Sequence, residues 1–217
     1  MNTPLHLPLF PLGTVLFPGG SLPLQIFEVR YLDMVKRCHR EGTPFGVVCL
    51  TQGHEVLQRD RKVGDGFQTE TFEPIGTLAH ITQLAQPQPG LLVIQCQGGS
   101  RFQITRSEKL KHGLWVADAT LWPEDTPIPV PDELKGMAQA LWRLVQRLQT
   151  EHPGAFPELP AWEDGHVLWQ DAGWLANRWA ELLPLPRDFK QRLLTLDSPL
   201  LRLELVGDAL EQLGVAY

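Results

Sequence analysis

Ser107 and Lys109 stand two positions apart, and a serine beside a lysine is the minimum apparatus for a hydroxyl nucleophile. Such a dyad works only when the lysine is desolvated and its amine can accept a proton. Strand alternation at this predicted strand end points both side chains into solvent, so the pair reads as a surface coincidence. A phosphate-cradling loop needs glycine-rich backbone followed by Lys and Ser or Thr. The chain has no Gly-Lys dipeptide, and Gly64-Asp65-Gly66 is a turn signal too short for that task. His6, His39, His54, His80, His112, His152 and His166 are scattered, with no HExxH or other helical ligand spacing. Cys38 beside His39 suggests a thiol–imidazole pair, yet neighbours on a helix point about 100° apart. Cys38 falls on the apolar face, which leaves a buried thiol and a solvated ring. Cys38, Cys49 and Cys96 are an odd, widely spaced set without CxxC. They suit small buried hydrophobes in a reducing cytosol rather than a disulfide framework or a zinc knuckle. No catalytic residue, metal site or cofactor is expected.

Tryptophan carries the more informative pattern. Five of the seven, Trp142, Trp162, Trp169, Trp174 and Trp179, lie after residue 131. Trp179 belongs to the apolar stripe of a predicted helix. Trp174 shares a face with Gln170, Asp171, Arg178 and Glu181, and Trp162 lies in a Pro/Glu-rich loop. Large aromatics on polar surfaces are anchors for partners, so Trp162 and Trp174 are the candidate partner-binding residues. The alternative is that loop 153–166 folds back and covers both.

The elements that must position these residues fall into two sets. Leu5–Leu9 and Ser21–Ile26 alternate like strands, with a turn at Gly19-Gly20. Tyr31, Met34, Val35 and Cys38 recur at helical spacing, and Gly42 stands where a C-terminal cap would stop that helix. Phe45–Leu50, Ile75–Leu84, Leu91–Cys96, Arg101–Thr105 and Leu114–Leu121 complete the predicted strands, with a turn over Gln86–Gly90 making a hairpin. Many short strands and one inserted helix predict a closed or nearly closed barrel over residues 1–122. Residues 123–131 hold four prolines and read as a stiff linker. Residues 132–217 are expected to form a helical bundle. One stripe runs through Leu134, Met137, Ala138, Leu141, Val145 and Leu148; another runs through Leu168, Ala172, Leu175, Trp179 and Leu182.

Charge narrows the partners. Residues 1–122 carry 11 Lys/Arg against 10 Asp/Glu, a net of +1, while residues 123–217 carry 8 against 15, a net of −7. Neither half has the cationic surplus on which nucleic-acid binding rests. RNA recognition would need Arg59, Arg61 and Lys62 to cluster with Lys109 and Lys111. Residues 1–27 bear no Asp, Glu, Lys or Arg, but Pro4, Pro8, Pro11, Pro18 and Pro23 break any apolar helix there. With no stretch of about 20 unbroken apolar residues, a membrane span is not expected and the cytoplasm is the expected address.

Two stretches carry a family likeness. Leu7-Pro8-Leu9-Phe10-Pro11-Leu12 leads through Leu16-Phe17-Pro18 to Pro23-Leu24-Gln25-Ile26-Phe27-Glu28-Val29-Arg30-Tyr31, with echoes at Pro74–Ile81 and Gly99–Ile104. Leu182-Leu183-Pro184-Leu185 leads to Lys190-Gln191-Arg192-Leu193-Leu194 and Asp197. In this order they resemble free-standing members of the Lon protease N-terminal domain family, with Val29 where that pattern prefers Pro. The resemblance implies an α+β fold, a PUA-like β pseudo-barrel with one inserted helix followed by a C-terminal helical bundle. It also implies a module that captures unfolded or peptide segments of proteins for a proteolytic machine, without ATPase or protease parts of its own. The residues also allow a structural role for the IFEVRY motif, with Phe27 in the core and Glu28 and Arg30 paired at the helix start.

Overall fold

The structure, a computed structural model, describes residues 4–53, 70–152, 159–162 and 167–217. Two compact units divide the chain, Met1–Glu124 and Asp125–Tyr217.

The first unit is built from β1 (Leu5–Leu12), β2 (Ser21–Ile26), helix α1 (Val29–Glu41), β3 (Phe45–Gln52), β4 (Thr71–Gln88), β5 (Leu91–Lys109) and β6 (Trp115–Leu121). The strands form one sheet in the order β2-β5-β4-β3-β1-β6, and β5 also pairs with β6. Among the described pairings only β1 with β3 is parallel. The expected strands at 91–96 and 101–105 are one strand, β5, which changes partner along its length. Its first part pairs with β2 (Leu22↔Cys96) and its last with β6 (Phe102↔Leu121). Gly98 permits that passage, because a Cβ there would lie 2.2 Å from the Phe17 carbonyl oxygen.

Helix α1 ends at Gly42, whose φ of 64° lets its N–H reach back to the last turn. Its inner face, Tyr31, Met34, Val35 and Cys38, joins Phe10, Phe45, Ile26 and Ile94 in one core. Leu7, Leu9, Val48, Leu78 and Phe102 form a second core inside the same unit. Phe27 is not in either: it is 56% exposed, while Ile26 is buried. Phe27 lies just past the last residue of β2, between the strand and α1, and faces outward there.

The second unit holds α2 (Lys135–Glu151), a 3₁₀ turn (Val167–Gln170), α3 (Ala172–Leu182), α4 (Arg187–Thr195) and α5 (Pro199–Gln212). Asp171 and Ser198 cap α3 and α5 by accepting from the backbone N–H of Trp174 and Leu201. α3 is the buried helix of the unit, with Leu175, Ala176, Trp179 and Ala180 all at 0% exposure. The proline-rich stretch runs against it: Ala172 N–H donates to Ile128 O and Val130 N–H to Gln170 O, each at 2.8 Å. Arg202 on α5, 1% exposed, completes this arrangement. Its guanidinium donates to both oxygens of Asp125, to Asn177 Oδ1 and to the carbonyls of Leu193 and Leu196. Every donor of a charge that burial would otherwise penalise is thereby engaged. No helix among the described residues is long and apolar enough to cross a membrane.

Candidate functional site

The Asp171 cap sets the start of α3 and so fixes Trp174, whose backbone N–H lies 2.6 Å from Asp171 Oδ1. One turn earlier, the 3₁₀ segment places Trp169, which is buried and donates its indole N–H to Ala161 O at 3.3 Å. That bond holds the segment bearing Trp162 against the helices. The rings then run edge to face from Trp174 to Trp169 at 4.9 Å and from Trp169 to Trp162 at 5.1 Å, and Trp142 stands tilted to Trp162 at 6.0 Å between centroids. Such contacts add to the apolar area that each ring buries. Trp142, Trp162 and Trp174 are half-buried, so the cluster keeps aromatic surface facing solvent.

Beside it opens a cleft of about 700 Å³, with Val130, Ala138, Trp162 and Trp169 as its apolar wall. Gln139, Gln170 and the Asp132–Lys135 ion pair edge it. Among the described lining residues only Asp132 and Lys135 carry charge, and they pair with each other. The apolar wall and polar edge of the cleft offer contact surface and hydrogen bonds.

Sequence spacing picked out Trp162 and Trp174, and the fold brings both to one cluster around Trp169. Trp142 was missed, because its helix and theirs are separated in sequence and no periodicity links them. The face of α3 expected to be polar and solvated is largely covered. Arg178 is 4% exposed and ion-paired to Glu181 at 3.0 Å, because helices pack on several sides of α3. Trp179 is core, as its stripe predicts, and donates its indole N–H to Met137 O.

The chemical alternatives come apart. Lys109 Nζ lies 2.9 Å from Glu70 Oε2, so its ammonium is committed to a carboxylate while Ser107 stays exposed. His39 is exposed and Cys38 buried, and all three cysteines are buried and outside any disulfide. Among the described residues no three of His, Cys, Asp and Glu converge as metal ligands. Arg59, Arg61, Lys62 and the Gly64–Gly66 turn lie outside the described residues.

A family model for the substrate-binding domain of the ATP-dependent protease La (Lon) matches residues 6–212. The chain belongs to the Lon substrate-binding domain family. It is 30% identical over 201 residues to a Lon protease of Paraburkholderia phytofirmans, covering 91% of this chain and 23% of that protein. A Lon protease of Anaeromyxobacter dehalogenans is 26% identical, covering 97% of this chain and 24% of its own length. The chain thus spans about a quarter of the length of these relatives. A Lon N-terminal domain protein from Xanthomonas campestris superposes with a TM-score of 0.70 at 30% identity, covering 93% of this chain and 96% of that one. The N-terminal domain of a Mycobacterium avium complex Lon protease shares the fold, with a TM-score of 0.57 at 18% identity and coverage of 94% and 97%.

The motifs that carry the Lon likeness meet in space. Tyr31 of the IFEVRY motif stacks on Phe10 of the LPLFPL motif at 4.0 Å between centroids. Arg30 lies over the Tyr31 ring and pairs with Glu28 at 3.3 Å and Glu70 at 3.2 Å. The Glu28–Arg30 pair suspected at the helix start is therefore part of a buried network, in which Glu70 also accepts from Lys109 and from the Trp115 indole at 2.7 Å. Burial pushes the Glu70 carboxyl up, but the Lys109, Trp115 and Arg30 hydrogen bonds outweigh it and hold the group below the usual range.

Proposed function

We propose that this chain is a non-enzymatic recognition module of the cytoplasm. In this reading it takes unfolded or peptide segments of other proteins at the Trp162–Trp169–Trp174 cluster and its cleft and passes them to a proteolytic machine. The observation that carries the reading is the half-buried aromatic cluster edging an apolar cleft in a chain of this family. Covering about 100 Å² of indole is worth about 2.5 kcal/mol at ~25 cal/mol per Å², enough for one ring to decide an affinity. The closure of the strand set through β5 supports a PUA-like pseudo-barrel for the first unit. The absence of a Gly-Lys dipeptide and the engagement of Lys109 by Glu70 support a module with neither ATPase nor protease chemistry. The same Lys109 pairing removes one cation from the RNA reading.

The test pairs binding with stability. Trp162→Ala and Trp174→Ala should each weaken binding of labelled, reduced and carboxymethylated lactalbumin about tenfold. Each should cost less than half the stability lost by Trp179→Ala, for which about 3–5 kcal/mol is expected from a core cavity. Purified protein should hydrolyse neither ATP nor casein. Unchanged binding in both tryptophan variants, or Trp174→Ala melting as early as Trp179→Ala, removes the site.

A further inference from the structure

We infer that the concavity between α1 and the turn joining β5 to β6 binds a phosphate-type dianion, free or carried as a terminal monoester. Positions 33, 36, 37 and 40 fall on one outward stripe of α1, which sets Lys36, Arg37 and Arg40 side by side in solvent. The facing wall is the turn Leu110–Leu114, closed by Leu110 N–H to Leu114 O and Gly113 N–H to Leu110 O, both at 2.8 Å. It presents His112 across the gap, and the space between is about 360 Å³.

The two walls are tied together by a buried guanidinium. Arg30 donates to Gly113 O at 2.9 Å from the helix side, and Glu28 and Glu70 hold Arg30 in place. The two backbone walls are thus set before any ligand arrives, so only the exposed side chains remain to be ordered on binding. Arg30 supplies the floor and its charge is already answered; the charge on offer comes from Lys36, Arg37 and Arg40. Among the described residues Lys36 and Arg37 form no ion pair, Arg40 meets Glu41 at 3.3 Å, and Asp33 is the one acid in the lining. Two long stretches of the unit sharpen the contrast, since residues 1–27 and 74–100 contain no Asp, Glu, Lys or Arg. A guanidinium fork beside an ammonium suits the oxygens of a phosphate, and the space holds that group with several waters at about 30 Å³ each.

The full chain, ¹⁵N-labelled, is titrated with inorganic phosphate, glycerol 3-phosphate and hexaglutamate, with sodium chloride at matched ionic strength as reference. Phosphate should give saturable amide shifts confined to residues 33–40 and 110–114. Arg37→Glu should lower the apparent affinity about tenfold or more, Arg37→Gln less, and Arg143→Glu on α2 not at all. Tighter binding of glycerol 3-phosphate than of inorganic phosphate assigns the site to a carried monoester; equal binding assigns it to the free ion. The inference falls if chloride reproduces the shifts, if hexaglutamate binds there and phosphate does not, or if the Arg37 variants titrate like the parent.

Discussion

Glu70 and Glu181 are carboxyls moved in opposite directions by what surrounds them, and each leaves its own mark on stability against pH. Glu70, its side chain 3% exposed, is held below the usual range because three donors outweigh its burial. A carboxyl depressed in the folded state adds stability above its unfolded value, and that stability is lost as pH falls through the folded value. Glu181 is pushed up to about 7 by burial, only partly offset by Arg178 and Lys190. Between about 4.5 and 7 the folded chain keeps that proton and the unfolded chain does not, so this contribution to stability falls as pH rises across the window. Urea unfolding between pH 3.5 and 8 should show Glu70→Gln flattening the acid limb and costing about 3–5 kcal/mol near neutrality, because Arg30 is left buried with less charge to meet it. Glu181→Gln should flatten the neutral limb instead. The Glu28–Arg30 pair could be read from sequence because the two lie within one turn. Glu70 could not, since it sits 40 positions from Arg30 and only the fold joins them.

At the scale of elements, two glycines separate close packing from backbone conformation. A Cβ on Gly76 of β4 would fall 2.2 Å from the Val47 carbonyl oxygen and 2.9 Å from the Phe102 ring. Gly90, in the β4–β5 turn with φ +80°, has nothing within 4 Å of where a Cβ would stand. Gly76→Ala should therefore cost about 3 kcal/mol or more through forced movement of a buried strand. Gly90→Ala should cost only about 1–2 kcal/mol of left-handed strain. Chemical denaturation of the two variants gives the comparison. The turn at Gly90 was plain in sequence, because a Pro-Gly cluster between apolar runs has a local cause. The continuity of β5 was not, because Gly98-Gly99 looks like a break until Phe17 is known to pass against it. Helices α2 and α3 were legible for the same local reason, their apolar stripes. The cover over the polar side of α3 was not, since it depends on which elements pack there.

Across the molecule, the order of weak motifs identified the family better than any one of them, since partial matches at both ends constrain the whole chain. The candidate cleft was half legible: two of its aromatic residues came from composition and spacing, while the ring that joins them came from packing. Arg202 has the widest reach within the helical unit, tying Asp125 to α3, α5 and the end of α4. Arg202→Met should cost about 3–5 kcal/mol, and Arg202→Lys should recover little, because a point charge cannot repeat a five-donor fork. Fluorescence-detected unfolding reads this loss directly, because five of the seven tryptophans lie in that unit. Four of those indoles, spaced 4.9–6.0 Å apart at fixed angles, also form a small array of coupled chromophores. Excited states shared among neighbouring rings give circular dichroism a signed couplet that a lone ring lacks. The protein thus carries its own optical gauge of whether that corner is assembled, needing neither dye nor tag.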